Sequence, residues 1–183
     1  MNRLVIVPDE KHESLGAELK PKLAAIAREI TANNLPQLMG ERTLALLESI
    51  AARETCELLL WGREGNGYAV AWAGKACEAD LRGKARADAG EGMVARVFES
   101  GRSETEVAEF LEISEWSNLA QLLGKSLSSM SASPVQVFDG CAVAVTRVNY
   151  GAGETPPPSE TASLLSRLIE DRLIRMSIGL EPA

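Results

Sequence analysis

The chain has 183 residues, 45% of them hydrophobic and 25% charged, with a formal net charge of −7. That length buries one core and fits a single domain with a helical extension, while an acidic balance with its basic residues scattered among acidic ones opposes a phosphate backbone and argues against nucleic-acid partners. The longest apolar run is far short of a membrane span, and residues 1–8 are too short for a signal peptide before Asp9-Glu10-Lys11, so the expected location is cytoplasmic with no membrane partner.

From the N-terminus, residues 1–16 read as a polar tail and 17–36 as a helical extension, with the main domain over 37–180. Leu19, Leu23, Ile26 and Ile30 recur at helical spacing, and Asn33-Asn34-Leu35-Pro36 interrupts them. Leu44, Leu47, Ile50 and Ala51 form a second stripe leading into a strand. A hairpin follows: Cys56 to Trp61, a turn at Gly65-Asn66-Gly67, and a return over Tyr68 to Ala73. Then Gly90-Glu-Gly-Met-Val-Ala-Arg-Val-Phe-Glu-Ser-Gly101 reads as a short helix. Ser103-Glu-Thr-Glu106 matches a capping box ahead of Val107, Phe110 and Leu111. Trp116, Leu119, Leu122 and Leu123 suggest one more helix, begun at Ser114 or Ser117 and closed near Gly124. A second hairpin runs from Ser129 to Phe138, turns at Asp139-Gly140 and returns over Cys141 to Asn149. After Pro156-Pro157-Pro158, Ser159 is the expected N-cap of a last helix lined by Leu164, Leu165, Leu168, Ile169 and Leu173, which stops at Gly179.

Alternation puts Ala69, Ala71 and Ala73 on one face of the second strand and Tyr68, Val70 and Trp72 on the other; Ala142 and Ala144 repeat the small face. Small faces either admit helices closely or leave room for a ligand. The opposite face would carry Trp72 towards Met93, Phe98, Trp116 and Leu119, an aromatic and methionine-lined space suited to a planar or apolar ligand. The alternative is an ordinary filled core.

Catalytic motifs are sparse. Gly90-x-Gly92-x-x-Ala95 matches a dinucleotide fingerprint but lacks the parallel strand-helix-strand setting, so the glycines are read as starting a helix, whose N-terminus could still accept an anionic group. Gly124-Lys125-Ser126 lacks the earlier glycine of a phosphate-binding loop. His12, the lone histidine, lies in the polar tail, away from any nucleophile. Cys56, Cys77 and Cys141 cannot all pair within one chain and form no Cys-x-x-Cys unit, so they are expected to be reduced and to pack as small hydrophobes. No metal site is indicated, and the sequence does not name a cofactor.

The order of these parts over roughly residues 37 to 178 resembles the GAF domain, a sensory and regulatory module. The segments that carry the likeness are Leu44 to Trp61, the Gly90 to Gly101 stretch, the Ser-rich approach to Pro134-Val-Gln-Val137, the Asp139-Gly140 hairpin, and Asn149 before the last helix. The resemblance implies an α+β fold: a central antiparallel sheet of five or six strands, N- and C-terminal helices on one face, and a helical and loop insert over the other with a small-molecule pocket beneath it. The alternation and the Gly90-Gly92 helix start described above place the expected ligand contacts at Trp72, Gly90, Gly92, Met93, Phe98, Trp116 and Leu119. Departures from the better-known subclasses argue against a covalent bilin, since no histidine accompanies a cysteine, and against a cyclic nucleotide, since Asn149 is followed by Tyr150 where the pattern has lysine and the triproline stands where it has phenylalanine. The free methionine sulfoxide reductases use this fold too, and these cysteines do not align with their motif. The expectation is a noncatalytic domain that binds a small molecule, homodimerises through its terminal helices and signals to a separate output protein. A ligand-free assembly module and a thiol-dependent reductase of a small oxidised metabolite are the alternatives.

Overall fold

Gly65, at φ +56°, closes the two-residue turn between β1 (Glu57–Glu64) and β2 (Gly67–Ala73), as the Gly-Asn-Gly sequence predicts. The second hairpin joins β5 (Ser129–Val137) to β6 (Gly140–Asn149), but its turn falls one residue earlier than Asp-Gly suggests. Phe138 and Asp139 hold φ of +45° and +68°, and Val137 pairs with Gly140 after a bulge between Val135 and Gln136. A left-handed phenylalanine is uncommon; here its amide donates to the Glu170 carboxylate at 2.9 Å, a tertiary bond that local propensity does not contain.

The structure is a computed structural model that describes residues 10–53, 57–74, 80–107, 114–151 and 155–180, and within them all side chains except those of 10–16, 57 and 114–117. Its sheet has six strands in the order β3-β2-β1-β6-β5-β4, with every neighbouring pair antiparallel. The two edge strands, β3 (Arg86–Asp88) and β4 (Glu104–Val107), come from the segment between the hairpins. β4 replaces the expected capping box. Its residues pair with Ser129 to Ala132, and Arg96 of α3 (Gly92–Ser100) bonds Glu104 at 2.8 Å and also Glu106. β-branched Thr105 and Val107 and a forked guanidinium from the neighbouring helix outweigh the local cap signal. The helix expected through Phe110 and Leu111 lies outside the described residues. α4 (Ser114–Leu123) then begins at the expected serine and ends before Gly124, at φ +65°.

Three helices cover one face: α1 (Glu10–Arg28), α2 (Leu35–Ala51) and α5 (Ser159–Ser177). Leu23 and Ile30, with Leu47, Leu165, Ile169 and Leu173, pack on Leu58, Leu60, Ala69, Ala71, Val143 and Val145. Alanines beneath helices let backbones approach, which is the helix-admitting alternative for the small face. Ala73 and Ala144 depart from it and pack on the opposite face. The α1 stripe, expected to remain open for pairing, mostly closes on its own sheet: Leu23 and Ile30 are buried, and Ile26 alone of the four is exposed. The α1–α2 connection joins this packing directly. Ala32 N–H donates to the Arg63 carbonyl at 2.9 Å, and a Cβ on Gly62 would lie 2.6 Å from the Ala32 nitrogen, so only glycine lets the segment lie flush on β1.

Along β5 the helix-facing positions change from polar to apolar. Ser129, Ser131 and Ser133 bond Thr155, the Pro156 carbonyl and Ser159 at 2.7, 2.9 and 3.2 Å, while Val135 and Val137 continue the core. The Ser159 hydroxyl is therefore engaged by β5 instead of capping α5, and Pro158 occupies the N-cap position. Gly179, at φ +76°, ends the helix, with Leu180 N–H donating to the Arg175 carbonyl at 2.9 Å. Among the described residues no helix is long and apolar enough to cross a membrane.

Candidate functional site

The face of the sheet away from α1, α2 and α5 is roofed by α3 and α4. Glycines at φ +77° and +78°, Gly90 and Gly92, turn the chain from β3 into α3, and Gly101 at φ +65° ends the helix. Between them Met93, Val94, Val97 and Phe98 point at the sheet, where they meet Trp61, Val70, Met130 and Val148. Leu119 of α4 joins the same cluster. Of the residues expected to contact a ligand, the structure therefore brings Met93, Phe98 and Leu119 together and sets Gly90 and Gly92 at the helix start beside them. Met93 and Leu119 are at most 1% exposed, so they now act as core.

Trp72 is not in this group. It packs with the helix-face cluster, against the expectation from alternation. The cause is a register shift between Leu60 and Trp61: Leu60 pairs with Trp72 and Trp61 with Val70, leaving Ala71 as the extra residue of a bulge. One extra residue transfers every later side chain to the other face. The Trp116 side chain lies outside the described ones. The aromatic that does occupy the insert face is Trp61, fully buried, with its indole N–H donating to the Thr146 hydroxyl at 2.9 Å. Alternation in β1, with Leu59, Trp61 and Arg63 on one face, is the sequence signal that points to it.

At the open end of this face, Tyr68 stacks on Phe98 with ring centroids 4.2 Å apart and planes 15° from parallel, and the Arg63 guanidinium lies 5.6 Å from the Phe98 centroid. Burial, then the Glu99 charge, raises the Tyr68 pKa above its usual 10.0, so at neutral pH its phenol is a hydrogen-bond donor. Tyr68 is also a wall of a cleft of about 450 Å³ between the β1–β2 turn and the β3–α3 turn, bounded by Gly67, Ala87, Asp88 and Ala89. Arg86 and Glu64 close one side as an ion pair at 2.7 Å. The Gly90 N–H, next along the chain, donates to the Glu99 carboxylate at 3.1 Å. A carboxylate of the chain itself thus occupies one donor at the α3 entry where an anionic ligand group was expected.

The cleft thus has an aromatic wall at Tyr68 and a charged rim at Arg86 and Glu64. Among the described residues no group of three or more His, Cys, Asp or Glu could hold a metal ion. Cys141 is the one cysteine among the described residues; burial pushes its thiol up to about 11, with Arg63 opposing, and so keeps it protonated. Cys56 and Cys77 lie outside the described residues.

No protein-family model and no curated protein sequence matches the chain. Solved structures do. The GAF domain of a phosphoenolpyruvate-protein phosphotransferase from Coxiella burnetii shares 12% identity over 90% of this chain and 96% of that one, with a TM-score of 0.58. The corresponding Acinetobacter domain shares 11% over 90% and 95%, with a TM-score of 0.53. A Staphylococcus aureus NreA protein mutated in its nitrate-binding site shares 16% over 63% and 88%, with a TM-score of 0.51. The fold is GAF-like: α+β, with a six-stranded antiparallel sheet between two helical layers.

Proposed function

We propose that this chain is a noncatalytic GAF-like regulatory domain that binds a small molecule at the open end of the insert face and passes the change through its helical layer to a separate protein. The observation that carries the reading is the Tyr68–Phe98 stack, which joins the wall of an open cleft to the helix that roofs the sheet. A ligand lying on Tyr68 would bear on Phe98, and so on α3, without any chemistry. Of the expected contact set, Gly90, Gly92, Met93, Phe98 and Leu119 lie beside the cleft instead of lining it, and they would respond to a ligand through α3 and α4. The buried Cys141 thiol, its pKa raised by desolvation, is itself poorly suited to act as the nucleophile of a thiol reductase.

The helical layer also supports self-association. Leu46 on α2 and Ile174 on α5 are exposed, and Ile178 and Leu180 extend the apolar surface beyond α5. Homodimerisation through these residues is the second element of the proposal, in place of the α1 stripe.

Native mass spectrometry of gently purified protein tests the binding reading. We expect a small-molecule mass accompanying the wild-type chain and lost in Ala89→Trp, which fills the cleft from an exposed position while leaving the circular dichroism unchanged. A chain that carries no added mass and shows no thermal shift with any member of a metabolite panel would overturn ligand binding and leave assembly alone.

A further inference from the structure

We propose that Arg63 links the two faces of the sheet mechanically: its guanidinium is tied to α3 and to the start of β6, and its main chain holds the α1–α2 connection, so that a displacement of α3 reaches the helical layer at Thr31 and Ala32. The inference concerns a route within the regulatory reading above, but it is a property of the free protein and is tested without a ligand.

On the insert face, Arg63 stands directly opposite Tyr68 across the hairpin. Its guanidinium lies 5.6 Å from the centre of Phe98, the ring that stacks on Tyr68, and it donates to the Cys141 carbonyl at 2.8 Å. Three elements, α3, β2 and β6, thus meet at one side chain, with the cation attracted to the ring face and to a carbonyl dipole. The β6 ladder on β1 reaches only as far as Trp61, so the main chain of Arg63 is available on that edge. Thr31 forms a parallel bridge to it, and Ala32 N–H donates to its carbonyl at 2.9 Å. Gly62, the residue before, removes the side chain that would keep the connection away.

The connection itself is stiff. Thr31 N–H donates to Asn34 Oδ1 at 2.8 Å, Asn34 Nδ2 donates to the Glu29 carbonyl at 3.0 Å, and Leu35 N–H donates to the Thr31 carbonyl at 3.0 Å. These bonds lock the segment to the residues following α1 and to the first residue of α2. A shift at the Arg63 carbonyl is therefore carried into both helices instead of being absorbed by a slack loop. Coupling of this kind requires a continuous physical path with a measurable response at its far end, and here that far end is a single amide.

The test is residue-resolved hydrogen exchange on the full chain, comparing Ala32 N–H with Val145 N–H in the sheet core as a global reference. Removing the ring by Phe98→Leu is expected to speed Ala32 exchange at least tenfold relative to Val145. In an Arg63→Met background, which keeps the unbranched stem of the side chain and removes the guanidinium with its charge and donors, the same Phe98→Leu change should produce no further rise. Tyr68→Phe, which keeps the stack, should leave Ala32 as in the wild type. If Ala32 is unmoved by Phe98→Leu, if Ala32 and Val145 accelerate together, or if the two substitutions act additively, Arg63 is not the link. None of these outcomes depends on whether a small molecule binds.

Discussion

Cys141 shows how burial at one residue sets both reactivity and stability. Its thiol lies in the insert-face cluster, pushed from the ordinary 9.0 up to about 11 by burial. A raised acid pKa means that the fold favours the neutral thiol. The resulting stabilisation is fully present below pH 9 and is lost as pH rises through about 11; two pKa units correspond to about 2–3 kcal/mol. Urea titrations of wild type and Cys141→Ala from pH 7 to 11 should therefore differ in slope above pH 9, the wild type losing stability faster. Parallel curves would show that the thiol is not held in this way. Trp61 makes a second residue-scale case. With its indole donating to Thr146 inside the core, Trp61→Phe should cost about 1–3 kcal/mol because the hydroxyl loses its partner as well as the indole its volume. Adding Thr146→Val should recover part of that loss in chemical denaturation; no recovery would mean that volume alone matters.

At the scale of elements, α1 and β4 each exchange one expected role for another. The Leu19, Leu23, Ile26 and Ile30 spacing is a sound helical signal, but a hydrophobic stripe does not say what covers it. Leu23, Ala27 and Ile30 are buried in the core shared with β6 and α5, so α1 is part of the packed layer. Deleting residues 1–35 is accordingly expected to lower the thermal midpoint by roughly 10 °C or more, since each buried Leu or Ile is worth about 2–5 kcal/mol when removed. A truncated chain that melts with the full one in calorimetry would return α1 to the status of a detachable dimerisation arm. In β4, Glu104 and Glu106 sit two apart on the same side of a strand and meet the fork of Arg96. On a helix those two carboxylates would diverge, whereas the strand brings both to one guanidinium.

Across the whole molecule, the sheet separates the face roofed by α3 and α4 from the face covered by α1, α2 and α5, and the ends of that second face remain partly apolar. Leu46 and Ile174 are 41% and 37% exposed, and Ile178 and Leu180 are more so. Sedimentation of the full chain should show a dimer that Ile174→Lys with Ile178→Lys converts to monomer while circular dichroism stays the same. A wild-type chain that sediments as a monomer at high concentration would remove dimerisation from the proposal.

Much of this architecture was legible before folding because its signals are local. Glycine at Gly65 and Gly101 supplies positive φ at a turn and a helix end, the proline run fixes where α5 can begin, and the apolar spacings in α1, α2, α3 and α5 mark faces whose periods survive in the structure. The sheet and its two-sided helical cover follow from those signals in order. Other features depend on partners distant in sequence. The bulge at Ala71 turns Trp72 to the helices, because strand register is set by the pairing of β1 with β2 and no composition marks the extra residue. Phe138 adopts a left-handed turn position because Glu170 holds its amide, and Ser103 to Glu106 leaves the helical cap for a sheet edge because β5 and Arg96 are there to receive it. Trp61, Tyr68, Phe98 and Arg63 come from β1, β2 and α3, and they become one cluster only when the hairpin closes beneath that helix. Side-chain type and spacing thus determine which face each element buries, while long-range pairing decides which residues of different elements meet on it.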